Sequence, residues 1–192
     1  MSTTSILLVG VGGQGTILVS KIMTEGLLKL GYDVKMSEIH GMSQRGGSVN
    51  TQIRFGEKVY APTIDKGQSD YLVSFEEMET YRWLPYLKPG GQVIMNDYRQ
   101  PSSPMLSGAV PYPEGLKEEI MAKVDTTVIK AADIALGLGL PRSMNIVLLG
   151  ALIKMLKLTE VDWPEVLKNN IKPQFLDGNL KALEKGMEAY GQ

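Results

Sequence analysis

The sequence predicts an α/β protein: a Rossmann-like, mostly parallel sheet with an antiparallel hairpin insertion and a helical C-terminal third. Three observations predict it. Short apolar runs alternate with segments of helical periodicity, the pattern of repeated strand–helix–strand units. A glycine-rich turn directly follows the first apolar run, and beyond residue 140 apolar residues recur at helical spacing with no further strand pattern. At 192 residues the chain suits a single domain, with 1–140 as the α/β core and 141–192 as a helical extension.

Ile6-Leu7-Leu8-Val9 reads as the first, buried strand, followed by Gly10-Val11-Gly12-Gly13-Gln14-Gly15 and then Thr16, where a helical pattern begins. Gly10, Gly12 and Gly15 fit the G-x-G-x-x-G spacing. That spacing serves a tight turn, a close backbone approach to a ligand, and close packing of helix on strand. The helix after the turn directs its free N–H groups and positive dipole end at whatever lies over the loop, so the expected ligand is an anion, most naturally a phosphate. Glycines that merely turn the chain onto its helix would give the same pattern. Val19, Ile22, Met23, Gly26, Leu27 and Leu30 form the helix's apolar face, Gly31 stands at its C-terminal cap, and Asp33 to Glu38 reads as a second strand. Glu38 closes that strand where a dinucleotide site keeps an acid for ribose, or is simply a solvated carboxylate.

The segment His40 to Ser48 is polar, with three glycines and the single cation Arg45, and reads as a loop beside the glycine turn. Arg45 is a candidate clamp for phosphate or carboxylate, against a plain solvent-facing arginine, and His40 reads as a packing residue. Val49, Thr51, Ile53 and Phe55 alternate with polar residues, a strand with one buried face. Gly56-Glu57 would then turn into Lys58-Val59-Tyr60 as a hairpin extending one sheet edge.

Asp70 to Phe75 and Gln92 to Asp97 read as core strands, separated by a helix from Glu76 to near Pro85 and a turn at Lys88-Pro89-Gly90-Gly91. Asn96 and Asp97 close the second of these at the ligand-binding end of the sheet, or Asp97 is simply a turn cap. Four prolines between Tyr98 and Pro113 predict a surface excursion that docks a partner. Glu114 to Lys123 and Ala131 to Leu138 read as helices around a strand at Thr126 to Lys130. Asn145 to Leu158 is apolar on nearly every side, which requires burial on more than one face, either against another chain or against this sheet's own back. Pro164 opens one further helix and Pro173 the last, with Leu176, Leu180, Leu183, Met187 and Tyr190 in one stripe.

Composition narrows the function. The net charge is −1 and the pI about 5.9, which offers no basic field for nucleic acid or an anionic membrane. Zero cysteines and one histidine exclude disulfides, cysteine-ligated clusters and multi-histidine metal sites on this polypeptide. The longest apolar run, Ile146 to Ile153, is well short of the about 20 residues that span a bilayer. The N-terminus lacks a signal-peptide pattern, so a cytoplasmic protein is expected. No nucleophile elbow, Walker lysine or carboxylate pair stands out, so neither a catalytic nor a metal-binding residue is assigned. On these residues alone, a free-standing NAD- or flavin-binding Rossmann oxidoreductase and a binding subunit of a larger enzyme both remain open.

Three segments carry a family resemblance: Ile6 to Thr16, Glu38 to Val49 with its Gly41-Met42-Ser43-Gln44-Arg45-Gly46-Gly47 run, and Asn170-Ile171-Lys172-Pro173. Together they resemble the beta subunits of indolepyruvate ferredoxin oxidoreductases and, more broadly, the gamma-type domain of 2-oxoacid ferredoxin oxidoreductases, over almost the whole chain. The resemblance implies a heteromeric, cytoplasmic complex that oxidatively decarboxylates an aryl pyruvate, joins the acyl group to coenzyme A and passes electrons to ferredoxin. It implies that thiamine diphosphate and [4Fe-4S] clusters sit on a larger partner subunit, and that this chain is inactive alone. Gly10, Gly12, Gly13, Gln14, Gly15 and Thr16 would form an anion loop, with Ser43, Gln44 and Arg45 bordering the partner's active site. A homodimer of the isolated chain is a further arrangement considered.

Overall fold

The run Ile6-Leu7-Leu8-Val9 is fully buried, each side chain contributing about 1.5–3 kcal/mol of apolar burial, and it lies at the middle of the sheet because both of its faces are covered. The computed structural model describes residues 3–38 and 46–191. Its six strands are β1 (Thr4–Val11), β2 (Asp33–Glu38), β3 (Ser48–Gly56), β4 (Ser69–Ser74), β5 (Leu87–Asn96) and β6 (Asp125–Ile129). They form one sheet in the order β2-β3-β1-β4-β5-β6. β3 runs antiparallel to both neighbours, with Leu8 opposite Thr51 and Thr51 opposite Glu38, while β1, β4, β5 and β6 are parallel.

Helices cover both faces. The helices of the described residues are α1 (Thr16–Lys29), α2 (Glu77–Trp83), α3 (Ser103–Leu106), α4 (Leu116–Lys123), α5 (Ala131–Gly137), α6 (Met144–Met155), α7 (Trp163–Asn170) and α8 (Pro173–Ala189). On one face α1, α5, α6, α7 and α8 pack over Ile6, Leu8, Ile53, Val73 and Ile94; on the other, a smaller layer with Ile64, Trp83 and Ile120 covers Leu7, Val9, Leu72, Val93 and Met95.

Three expectations change, and one alternative left open by the sequence is decided. The antiparallel partners of β3 are β1 and β2, not Lys58–Tyr60, which forms no strand. The inserted strand therefore wedges into the sheet between β1 and β2 instead of extending an edge. Lys88 to Gly91 is no separate turn: β5 runs on from Leu87, and its pairing with β4 shifts register there to absorb the extra residues. The proline-rich excursion holds one short helix, α3. Finally, α6 is buried from Asn145 to Ile153 by this chain's own elements. It is no docking face.

The reason for that last result is the crossing of α6 on α8. A Cβ at Gly150 would stand 2.1 Å from the Leu183 carbonyl oxygen, and one at Gly186 1.9 Å from that of Val147. Two facing glycines let the backbones touch, so α8 covers the side of α6 that the sheet does not.

Candidate functional site

The loops at the carboxyl ends of the parallel strands converge at the glycine turn. Gly13 and Gly15 have φ of 101° and 84°, a region that side chains resist, and Gly15 is the N-cap of α1 without a capping side chain. The first N–H groups of α1 thus meet neither intrahelical acceptors nor a capping oxygen. Gly10 is required by its neighbours: a Cβ there would lie 2.6 Å from Gln14 Oε1 and 3.0 Å from Phe75 Cβ. One at Gly15 would lie 2.4 Å from Asn145 Nδ2, on the α6 turn that closes over the loop.

Gln14 sits in the loop as expected, but its side chain points inward. It is 7% exposed; Oε1 accepts from the Val11 N–H at 2.8 Å, and Nε2 donates to the Phe75 carbonyl at 3.4 Å and to Gln100 Oε1 at 3.1 Å. The crevice between β1 and β4, where chain direction across the sheet switches and open α/β folds place a ligand, is bridged by this amide. The Gly12 N–H donates to the Gly47 carbonyl at 2.8 Å, so the start of β3 also ties into the loop.

Two cavities flank the turn. One, of about 250 Å³, lies between α1 and β3 and is lined by Gly12, Gly13, Gly15, Thr16, Ile17, Val49, Asn50 and Thr51. The other, of about 500 Å³, lies toward α6; Gln100, the exposed Arg142 and Asn145 are among its lining residues. Gly12, Gly13, Gln14, Gly15 and Thr16 are thereby brought together, with Gly10 packed beneath them. Ser43, Gln44, Arg45 and His40 lie outside the described residues. Glu38 accepts from the Ser20 hydroxyl at 2.9 Å, one strand farther from the turn than in a sheet where β2 adjoins β1. Asp97 pairs with Lys117 at 3.1 Å. Asn96, fully buried, donates to the Phe75 carbonyl and accepts from the Ala131 N–H, joining β4, β5 and α5.

A buried acidic cluster went unread in the sequence. Glu76, Glu77 and Glu79 at the start of α2 are 0%, 1% and 2% exposed. Glu76 caps α2 through the Glu79 N–H at 2.9 Å, and accepts from the Gln100 N–H at 3.2 Å and from the Tyr112 hydroxyl. Glu77 takes both guanidinium donors of Arg99 at 2.8 and 3.0 Å. Glu79 accepts from Ser48, Trp83 and Arg82. Glu76 and Glu77 hold both stems of the 98–113 excursion against the start of α2, while Glu79 ties α2 to the start of β3 through Ser48. Burial raises the pKa of Glu76 despite its three donors, and burial together with Glu76 raises that of Tyr112. The available signal was the Glu76-Glu77-Met78-Glu79 run itself, which resembles any solvated helix start until the excursion folds onto it. Among the described residues no group of three or more His, Cys, Asp or Glu side chains is arranged to hold a metal ion.

A three-layer α/β domain with a glycine turn at the switch point and a single antiparallel strand wedged beside it defines the class of protein, and the chain belongs to the pyruvate ferredoxin/flavodoxin oxidoreductase family, which it matches over residues 5–189. Within it, the chain is 34% identical to the indolepyruvate oxidoreductase subunit IorB of Thermococcus kodakarensis, over 98% of this chain and 96% of that protein. It is 36% identical to the IorB subunit of Methanothermobacter thermautotrophicus, over 96% of each. In fold it resembles the gamma subunit of a keto/oxoacid ferredoxin oxidoreductase from Geobacter sulfurreducens, with a TM-score of 0.75 at 22% identity, covering 98% of this chain and 97% of that one. It also resembles part of a 2-oxoglutarate:ferredoxin oxidoreductase from Magnetococcus marinus, with a TM-score of 0.77 at 23% identity, covering 98% of this chain and 31% of that one.

Proposed function

We propose that this chain is the non-catalytic subunit of an indolepyruvate-type 2-oxoacid ferredoxin oxidoreductase. One observation carries the reading: 34–36% identity to IorB subunits that runs nearly end to end in both partners of each alignment. In this reading a larger, cysteine-bearing partner holds thiamine diphosphate and the [4Fe-4S] clusters, coenzyme A is the co-substrate, ferredoxin is reduced through the complex, and the compartment is the cytoplasm. No helix among the described residues is long and apolar enough to cross a membrane.

The chemistry of this chain's own residues supports a scaffolding role. With no cysteine it has no thiolates to hold a cluster. Among the described residues its buried acids Glu76 and Glu77 are committed to the 98–113 arm and Glu79 to Ser48, Trp83 and Arg82, while the N-terminal N–H groups of α1 carry no side-chain cap. The glycine turn, Gly10 to Thr16, is then an anion loop facing the complex, and Ser43, Gln44 and Arg45 border the partner's active site.

The test is reconstitution with the larger subunit. Indolepyruvate- and coenzyme A-dependent reduction of ferredoxin is expected from the pair and from neither chain alone, and Arg45→Ala is expected to lower that rate without moving this chain's thermal midpoint. Turnover by the isolated chain, or full activity of the larger subunit without it, overturns the reading.

A further inference from the structure

We propose that the tip of the proline-rich arm, Met105 to Pro111, docks into an uncharged, apolar groove on the larger subunit of the complex. The inference rests on the reading of this chain as one subunit of a heteromeric enzyme, and goes beyond it by naming the surface, its anchoring residues and the chemistry of what meets them.

From Gln100 to Pro113 the sequence holds no charged residue, in a chain that is 21% charged. The other long charge-free runs, ending at Ser20 and spanning Ser143 to Ile153, supply chiefly the buried β1 and α6. The arm is the opposite case. Leu106 is 75% exposed and Val110 49%, and neither apolar layer of the sheet includes Met105, Leu106 or Val110. A single exposed leucine is ordinary on a surface. Three apolar side chains on a charge-free arm have instead the composition of the centre of a protein interface, where charged residues are depleted and methionine is enriched. The arm is also held in shape. The Ala109 and Val110 N–H groups donate to the Pro104 carbonyl at 3.0 and 3.4 Å, and the Ser107 hydroxyl donates to it at 2.9 Å, so the tip closes on itself. At the base Glu77 takes Arg99, whose guanidinium lies 5.1 Å from the centre of the Tyr112 ring, so the two stems brace each other. A surface fixed before binding loses less conformational entropy on association.

Size and position decide the occupant. The tip from Met105 to Pro111 is seven residues long, whereas a stable interface takes roughly 20–30 residues a side, so two tips meeting across a two-fold axis would not hold a pair of these chains together. The arm therefore belongs to a wider contact. It rises from the rim of the candidate site: Gln100 at its root accepts from Gln14 Nε2 at 3.1 Å and lines a cavity with Gly12, Gly13 and Gly15. That end of the sheet is the one that faces the larger subunit in the subunit reading, and the arm extends the same contact outward. With no charge on the tip, a charged partner surface would lose its water without gaining an ion pair, so the seat is apolar.

The experiment is titration of the larger subunit with the full chain, unaltered and as Leu106→Asp, Val110→Asp and Leu106→Met, with Leu28→Gln, at a 54% exposed leucine of α1, as the control. Each aspartate is expected to raise the dissociation constant about tenfold or more. Leu106→Met and Leu28→Gln should leave it unchanged, and none of the four should move the thermal midpoint of the free chain. Aspartate variants that bind as tightly as the unaltered chain overturn the arm as a docking surface while the subunit reading stands. Self-association of the unaltered chain in sedimentation, abolished by the aspartates while binding to the larger subunit is intact, gives the tip to a second copy and overturns the occupant. A midpoint lowered by Leu106→Asp shows the tip packed on its own chain and overturns the proposal as well. A larger subunit that does not bind the unaltered chain removes the subunit reading and the arm's role together.

Discussion

Gly10 and Gln14 account for one another: the side chain of the second occupies the space a Cβ of the first would need, and holds the turn through the Val11 N–H. Gly10 is therefore internal architecture, whereas Gly15, the N-cap of α1, leaves a helix end without a capping side chain. At the same scale Glu76 carries a pH effect whose sign is fixed. Burial lifts its pKa above the ordinary 4.5, so the folded chain binds this proton more tightly than the unfolded chain does. Its contribution to stability is fully present below that ordinary value and is lost as pH rises through the folded value. Glu76→Gln removes the titration, keeps one side-chain oxygen as an acceptor and puts an NH2 group in place of the other, a loss that does not change with pH. The advantage of the native chain over this variant, read from urea midpoints, is expected to shrink between about pH 4.5 and neutrality, with Glu77 and Glu79 unchanged as the background. An advantage that grows over that interval would show that the donors around Glu76 outweigh its burial.

At the scale of elements, the contact of α6 on α8 is a backbone contact made through Gly150 and Gly186. Gly186→Ala puts a methyl group against the Val147 carbonyl. Overpacking of this kind costs about 1–3 kcal/mol, which for a chain of this length lowers the thermal midpoint by roughly 2–12 °C. A calorimetric midpoint unmoved by this change would mean that the two helices separate freely. Gly26 plays a similar part under α7, where its missing side chain leaves room for the ring of Trp163. The elements themselves were largely legible. Periodicity located α1, α6 and α8, and Pro164 and Pro173 marked the starts of α7 and α8. The hairpin was misjudged because Gly56-Glu57 is a good turn whether or not a strand follows it. Alternation along β3 shows a buried face but not which strand lies on either side.

For the whole molecule, the order of the strands decides the character of the ligand site. With β3 between β1 and β2, the strand that ends in Glu38 stands two spacings from β1, roughly 10 Å instead of 5, and the crevice beside β1 is bridged by Gln14. The acid and the glycine turn are thereby parted, so the chain is not expected to bind nicotinamide or flavin dinucleotides. Fluorescence titration of the full chain with NADH and with FAD up to millimolar concentration should give no saturable change, and a dinucleotide bound at the turn would contradict the strand order as the deciding feature.

By itself the sequence determined the α/β class, the glycine turn opening onto a helix, most helix boundaries, and the absence of any thiolate chemistry. These depend on local periodicity, on φ preferences and on which residue types are present at all. Only the tertiary structure decided that β3 divides β1 from β2, that α6 is covered by α8 and not by another chain, and that Glu76, Tyr112, Gln100 and Gln14 form one network beside the turn. Such facts join residues far apart along the chain, and an alternating strand or a run of glutamates looks the same in sequence whichever partner eventually packs against it.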